Sequence, residues 1–538
     1  MSDTPSDAKP PRSNPYAPPQ PPRVPAYMGP PQPQPHPHPA WPGAPVPPPP
    51  QWVVASRAKA PAAIRPGVLW AVLATAVVAA LLLGDGLGLN LLFVAIPAAV
   101  AAAAAARAAG RRPRPWTLLW AVGGLALLAV PALRDAGWPA FLAIFAALAL
   151  GSLALHGSRT WPGVLLGSVG MWGAVVAGID WGQRGLRERT GGNRDRWWPV
   201  VKATGVAVVL LVVFGALFAG ADAAFADLMS DLIPDISIGD FPLRLLFFVL
   251  ALLGALAAAR TAASPRRWDR IKVKPGRPRS RVEWTLPLVV LAVLFAAFNS
   301  VQLTVLFGGY DKVLAETHLT YAEYARQGFW QLLTVTLLTV LVIALALRWA
   351  PRGSDGDRLL VRSVLGVICV LTLVVVASAL RRMDLYVDAY GLTRLRISVA
   401  GVELWLGLLI VLIMVAGILG NRWLPRAVVA VTAAGVLAFG LASPDALIAD
   451  QQVGRSHNAE DIDLQYLRGL SADAVPALDR LPEPQRSCAL EEIERGLRDG
   501  EPWYATSLSE ARARTILADR PLASTDACQE AGFTDYRE

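Results

Sequence analysis

Two short stretches of this sequence gather side chains able to move protons or hold anions. The first, AETHLTYAEYARQGF at 315–329, brings His318, Tyr321, Glu323, Tyr324 and Arg326 close together, a set that can serve as general acid, general base and hydrogen-bond donor. Thr320 and Glu323 also have capping-box spacing, so the same residues read equally as the start of a helix, with the tyrosines in an interfacial aromatic belt. The second stretch, RRMDLYVDAYGLTRLR at 381–396, holds Arg381, Arg382, Arg394 and Arg396 beside Asp384, Tyr386, Asp388 and Tyr390. Paired guanidinium groups can grip a phosphate or carboxylate in a fork. The competing account is internal pairing: Arg381, Asp384 and Asp388 share a helical face, Gly391 ends that helix and Thr393 caps the next.

Glu403 follows within an apolar run, and Asn299 and Gln302 lie at i and i+3 in another. A carboxylate in hydrocarbon costs a few kcal/mol if unpaired, which makes Glu403 a functional candidate. Arg396 is on its face but two turns away, so Glu403 needs another partner or a proton. Asn299 and Gln302 are expected to line a polar cavity on the same outer side of the membrane.

Other chemistries lack a carrier. The three cysteines, Cys369, Cys488 and Cys528, form no CxxC, and the sequence has no GxxxxGK[ST], HExxH or GxSxG. No metal site and no cofactor are expected. Cys488 and Cys528 are expected to pair if they face an oxidising compartment, whereas Cys369 reads as a small core residue.

The elements that must position these groups are membrane helices. The chain is 54% hydrophobic and 17% charged, with mean hydropathy +0.42, against roughly a quarter charged in soluble proteins. Apolar segments lie near 67–84, 87–106, 116–133, 137–156, 161–180, 201–220, 241–260, 284–307, 328–349, 359–380, 400–420 and 424–442. If all of them cross from a cytoplasmic N-terminus, short loops place 18 Lys and Arg inside and 22 outside. That opposes the positive-inside rule. If either the fourth (137–156) or the fifth (161–180) does not cross, parity flips after it, and with the fifth not crossing the count becomes 32 inside and 8 outside. The glycine-rich 163–180 stretch is the better candidate for a re-entrant or interfacial segment, although its glycines also suit helix packing. The expectation is therefore an all-α polytopic bundle of about eleven spans, with twelve as the alternative.

Four regions follow. Residues 1–66 hold 21 of the 44 prolines in 1–50 and read as a disordered cytoplasmic tail; its HPHP, His36 and His38, has no frame for a metal. Residues 67–200 form an N-terminal transmembrane region, 201–443 a second transmembrane core, and 444–538 an acidic helical domain of net charge −9 outside the cytoplasm. Basic loops at 181–202 and 260–283, flanked by tryptophans, read as anchors for anionic lipids. Nucleic acid is not an expected partner, because each basic block is short and sits at a span end.

The residues THLTYAEYARQGFWQL, LYVDAYGLTRLRISVAGVELWLG and FNSVQLTVLFGGYDKV resemble an uncharacterised bacterial membrane family, domain of unknown function 4173, with 4153 as its relative. The likeness covers roughly residues 200–450, and SADAVPAL at 471–478 is similar to the family's tail. Abundant alanine and arginine with scarce lysine looks actinobacterial. The resemblance implies an integral plasma-membrane protein and transfers no catalytic residue or ligand. The functional expectation is non-enzymatic binding or translocation of a small or lipid-like anion at the outer-facing site, with Arg381, Arg382, Arg394 and Arg396 as its cations. The alternatives are an outer-leaflet enzyme acting on lipid-linked substrates, with Glu323, Asp384, Asp388 or the aspartates of 221–241 as acid or base, and a scaffold that recruits proteins through the proline-rich tail and the acidic domain.

Overall fold

The computed structural model describes residues 50–188, 241–272, 276–308, 329–351, 353–455, 463–498, 500–523 and 528. His318, Tyr321, Glu323, Tyr324 and Arg326 lie outside the described residues, as do the aspartates between 221 and 240, the segment 201–220 and the tail through residue 49. Among the described residues the secondary structure is entirely helical. Nine helices among the described residues are long and apolar enough to cross a membrane, or ten if one bent pair counts as a single span.

After the short α1 (Gln51–Ser56), the first bundle contains α2 (Pro66–Leu82), α3 (Asn90–Ala108), α4 (Pro115–Leu128) with its one-turn continuation α5 (Val130–Leu133), α6 (Gly137–His156) and, after a bent segment, α9 (Phe241–Ala263). The bent segment is α7 (Trp161–Val169) followed by α8 (Val175–Arg187). The second bundle contains α10 (Arg281–Gly308), α11 (Phe329–Trp349), α12 (Asp355–Tyr390) and α13 (Arg394–Leu419). Helix α14 (Leu424–Leu441) packs on α4 and α6 on one side and α13 on the other, joining the two.

Many large apolar side chains face outward, and the first bundle closes in part on small ones. Leu81, Val100, Val122, Phe145, Val290, Leu294 and Leu341 are all more than half exposed, while α2, α3 and α9 meet through Ala101, Ala105, Ala255, Ala259 and Ala262. Lipid solvates large apolar groups as well as a protein core does, so helix association relies on close backbone approach through small residues.

The helix ends follow local chemistry. Proline opens α2 and α4 at the first helical position, where its missing N–H has no partner to lose. Thr160 caps α7, Ser354 and Asp357 form a capping box on α12, and Thr393 caps α13. Gly391 follows α12 at φ +76°, a conformation that favours glycine.

Charge separates the two ends of the molecule. At the basic end, the Arg267 amide donates to the Ser56 carbonyl, Arg426 Nε to the Ser158 carbonyl and the Arg279 amide to the Trp349 carbonyl. These contacts, with those of Arg111 to the Ala262 carbonyl and Ser264 to the Lys59 carbonyl, gather the loops at 57–65, 109–114 and 157–160 and the segments 264–272 and 276–280. At the opposite end, the loops at 83–89, 134–136 and 391–393 support five further helices: α15 (Pro444–Arg455), α16 (Leu464–Arg468), α17 (Val475–Leu478), α18 (Gln485–Arg498) and α19 (Leu508–Asp519). These share a core of Ile448, Leu467, Val475, Leu478, Leu490 and Ile493. Ser507 and Glu510 form the capping box their spacing predicts, and Cys488 and Cys528 are joined as a disulfide.

The bent segment keeps to the basic end. Its two halves meet at 66°. The Thr160 hydroxyl and amide both donate to Asp269, Ser152 Oγ donates to the Gly167 carbonyl, and Trp181 Nε1 donates to the Ala62 carbonyl. A Cβ at Gly178 would touch the backbone of Leu256 and Ala257, and one at Gly185 would overlap Ile64. These partners lie in the last turns of α6 and α9, in the loop beyond α9, and in the 57–65 loop ahead of α2.

Candidate functional site

The arginines at the acidic end are engaged within the protein. Arg394 forms a two-pronged bond with Asp445, Nε to Oδ1 at 2.9 Å and Nη2 to Oδ2 at 2.6 Å, and adds the Gly469 carbonyl at 2.9 Å. Arg396 caps α12 through the Tyr390 and Gly391 carbonyls and lies 4.2 Å from the Tyr386 ring centroid; Tyr386 and Tyr390 stack edge to face. Arg381 pairs with Asp384 at 2.5 Å, and Asp388 is exposed. Of the two accounts of the 381–396 stretch, the geometry follows internal pairing. The forked grip expected for an external anion is taken by a carboxylate of the chain, because α13 begins where α15 packs.

That carboxylate belongs to a docking interface. Asp445 is fully buried; burial raises its pKa, but the bonds and charge of Arg394, with Ser471, outweigh this and hold it below the usual carboxylate value. Nearby, two aspartates exchange caps. Asp473 Oδ2 accepts from the amides of Asp135 and Ala136 at 3.1 and 3.0 Å, and Asp135 Oδ2 accepts from the Ala472 amide at 2.7 Å. Burial, with the neighbouring charges of Glu510, Asp473 and Asp445, pushes Asp135 up to about 6 against the lowering bond from Ala472. A third contact joins Tyr504 Oη to Asp85 at 3.0 Å.

Inside the second bundle, Glu403 is completely buried. Its Oε1 accepts from Thr336 Oγ1 at 3.0 Å, and Oε2 has no hydrogen-bond partner among the described residues. Asn299 donates to the Leu371 carbonyl at 2.8 Å and leaves Oδ1 unpartnered, while Gln302 Oε1 accepts from Arg382 at 3.0 Å. Asn299 and Gln302 tie α10 to α12; neither lines the two cavities that the structure presents at the basic end.

The larger of these cavities has a volume of about 1070 Å³ and lies among α3, α4, α6 and α9. Its walls are apolar and small, as at Ala98, Ala102, Leu125, Leu148, Gly151 and Gly254. A Cβ at Gly151 or Gly254 would meet nothing within 4 Å. Its rim is cationic: Arg107, Arg112, Arg114, Arg267 and Arg270 are exposed there, and Arg111 reaches inward to the Ala262 and Leu155 carbonyls. Asp269, the acid on this rim, is held by Thr160 and the Arg159 amide. Such a site can accept an amphiphile with an apolar body and an anionic end.

The 260–283 loop, read from the sequence as a lipid anchor, supplies Arg267 and Arg270 to this rim; Arg107, Arg112, Arg114 and the space above them were not singled out. The alanines of α3 do not reveal by their spacing that α4 stands off from them.

The chain matches the family described as Domain of unknown function (DUF4153) over residues 121–481; no curated protein and no solved structure matches it. The matching family is the one that sequence resemblance placed as a relative of 4173. The matched region begins within α4, takes in α6, α9, both ends of the Arg394–Asp445 bond and Asp473, and ends in the acidic domain. Since it covers more than half of the sequence, this multi-pass membrane protein belongs to the DUF4153 family of unknown activity.

Proposed function

We propose that this protein binds a lipid with a phosphate-bearing headgroup at the cytoplasmic face of a bacterial plasma membrane, the chains lying in the cavity among α3, α4, α6 and α9. The cavity carries the reading: it is apolar through its length and ringed by arginines at one end only. The lipid-like, anionic class of ligand expected from the sequence is kept, and its site moves from the outer arginines, which are internally paired, to the basic end. Orientation follows the positive-inside rule, with the basic end cytoplasmic and the acidic domain outside. In this arrangement ten of the described helices, α2 among them, cross the membrane, and the bent α7–α8 segment lies along the cytoplasmic surface.

A chain moving from bilayer into the cavity leaves one hydrocarbon for another, so its burial contributes little. Affinity must come from the headgroup, at about 1 kcal/mol for each cation near the surface. Native mass spectrometry of the purified protein should find co-purified phospholipid. Gly151→Leu with Gly254→Leu, which fills open space, should lower its occupancy at least fivefold at unchanged helicity and melting temperature. Unchanged occupancy would overturn the assignment.

A further inference from the structure

A second cavity, of about 320 Å³, adjoins the first at the basic end, with His156 and Arg266 lining both. Its remaining polar wall is Ser56, Arg57, Arg260, Thr261 and Ser264. Two hydrogen-bond donors here, Arg260 Nε and Thr261 Oγ1, are buried with no partner among the described residues, and so is Nε1 of Trp268, which lines the larger cavity. Thr261 and Trp268 are 3% and 7% exposed. The indole nitrogen is directed at the cavity wall, since a Cβ built on Gly170 would lie 2.8 Å from both Trp268 Nε1 and His156 Cε1. Ser264 is committed to the Lys59 carbonyl, and Arg260 Nη1 reaches the Ser264 carbonyl at 3.3 Å. The carboxylate whose charge reaches Arg260, Asp180, is paired with Arg184 at 2.6 Å.

Each buried donor left unsatisfied is costly, and these donors beside the exposed guanidinium groups of Arg57 and Arg266 form a receptor for an acceptor-only anion. A phosphate supplies oxygens on several sides and the negative charge that Arg57, Arg260 and Arg266 attract. We propose that this smaller cavity is a phosphate site, and that the phosphate it takes is the headgroup of the lipid whose chains occupy the larger cavity. The inference rests on the lipid reading above and adds to it a separate, specific headgroup pocket.

The test uses delipidated full-length protein in detergent with three probes: dioleoyl phosphatidylglycerol, dioleoylglycerol and inorganic phosphate. Phosphatidylglycerol should bind the native protein at least tenfold more tightly than dioleoylglycerol. Thr261→Val and Arg260→Gln should each weaken phosphatidylglycerol about tenfold and leave dioleoylglycerol unchanged. Because the Thr261 hydroxyl has no partner among the described residues, Thr261→Val should keep the melting temperature of the unliganded protein. Equal binding of the two lipids would overturn the headgroup pocket while leaving the chain cavity standing. Binding of inorganic phosphate without either lipid would overturn the lipid source and the chain cavity together. A Thr261→Val protein that melts lower with its phosphatidylglycerol affinity intact would make the hydroxyl structural and overturn its role.

Discussion

Asp135 is the residue whose environment makes the sharpest demand. Its carboxylate is needed as an acceptor for the Ala472 amide, yet burial and three neighbouring acids oppose its charge and place its pKa near 6. A carboxyl whose pKa is raised on folding binds more protons folded than unfolded between about pH 4 and 6, so its contribution to stability falls as pH rises through that window. Asp445 has the opposite sign: held low by Arg394, it stabilises at neutral pH and loses that contribution in acid, below the window of Asp135. Asp135→Asn keeps an oxygen for Ala472 and removes the charge. It should stabilise the protein by about 1–2 kcal/mol at pH 7.5 and by little at pH 5, measured as melting temperature at the two pH values. An equal effect at both would show that repulsion at Asp135 is absent. Glu403 shows how partners are found differently in the bilayer region: Arg396 is two turns away, and the other partner its position called for is a hydroxyl, that of Thr336.

At the scale of elements, the bent α7–α8 segment differs most from its neighbours. Its glycines do two jobs: the chain turns by 66° between the two helices, and several of them admit another element against the backbone. Gly170 and Gly173 separate these roles. A side chain at Gly170 would press on His156, Trp268 and the Leu166 carbonyl, all at 2.8 Å, whereas one at Gly173 would meet nothing within 4 Å. Gly170→Val should therefore destabilise the fold by about 1–3 kcal/mol, and Gly173→Val should stay within about 0.5 kcal/mol of the native protein. Thermal melts of the two variants side by side check this, and equal losses would mean that contact with α6 and the 264–270 loop does not set the bend. The same crowding narrows the wall between the two cavities, so Gly170 positions His156 and Trp268 as well as the segment itself.

The whole molecule is polarised along its helix axes. Arginines collect where α3, α6 and α9 end, and the carboxylates of the five-helix domain collect at the other end, fastened through Arg394–Asp445, the Asp135–Asp473 exchange and Tyr504–Asp85. Translocating a cluster of arginines is disfavoured, so one orientation is strongly preferred. A cysteine replacing the exposed Glu492 should react with an impermeant maleimide in intact cells, and one replacing the exposed Arg277 only after permeabilisation. The reverse pattern would turn the molecule over and place the arginine-rimmed cavity on the outer leaflet.

Composition and local spacing were enough to define the helical membrane class, because apolar length and cap chemistry act within one turn or one span. Gly391 and Thr393 end and begin helices where their types require it, Ser507 and Glu510 close a capping box, and Arg381 finds Asp384 one turn on. Which ends meet was not written locally. Arg394 could have held a ligand until α15 brought Asp445, 51 residues away, against it. Asp135 and Asp473, 338 residues apart, exchange caps only because two loops share one face. The cavity is a tertiary product in the same sense: alanines predict close approach, and only the placement of α4 and α9 leaves them facing open space. Sequence determined which groups would be cationic, apolar or buried; packing decided which of those charges were cancelled and which were left facing a cavity, because that depends on distances between helices that no single segment specifies.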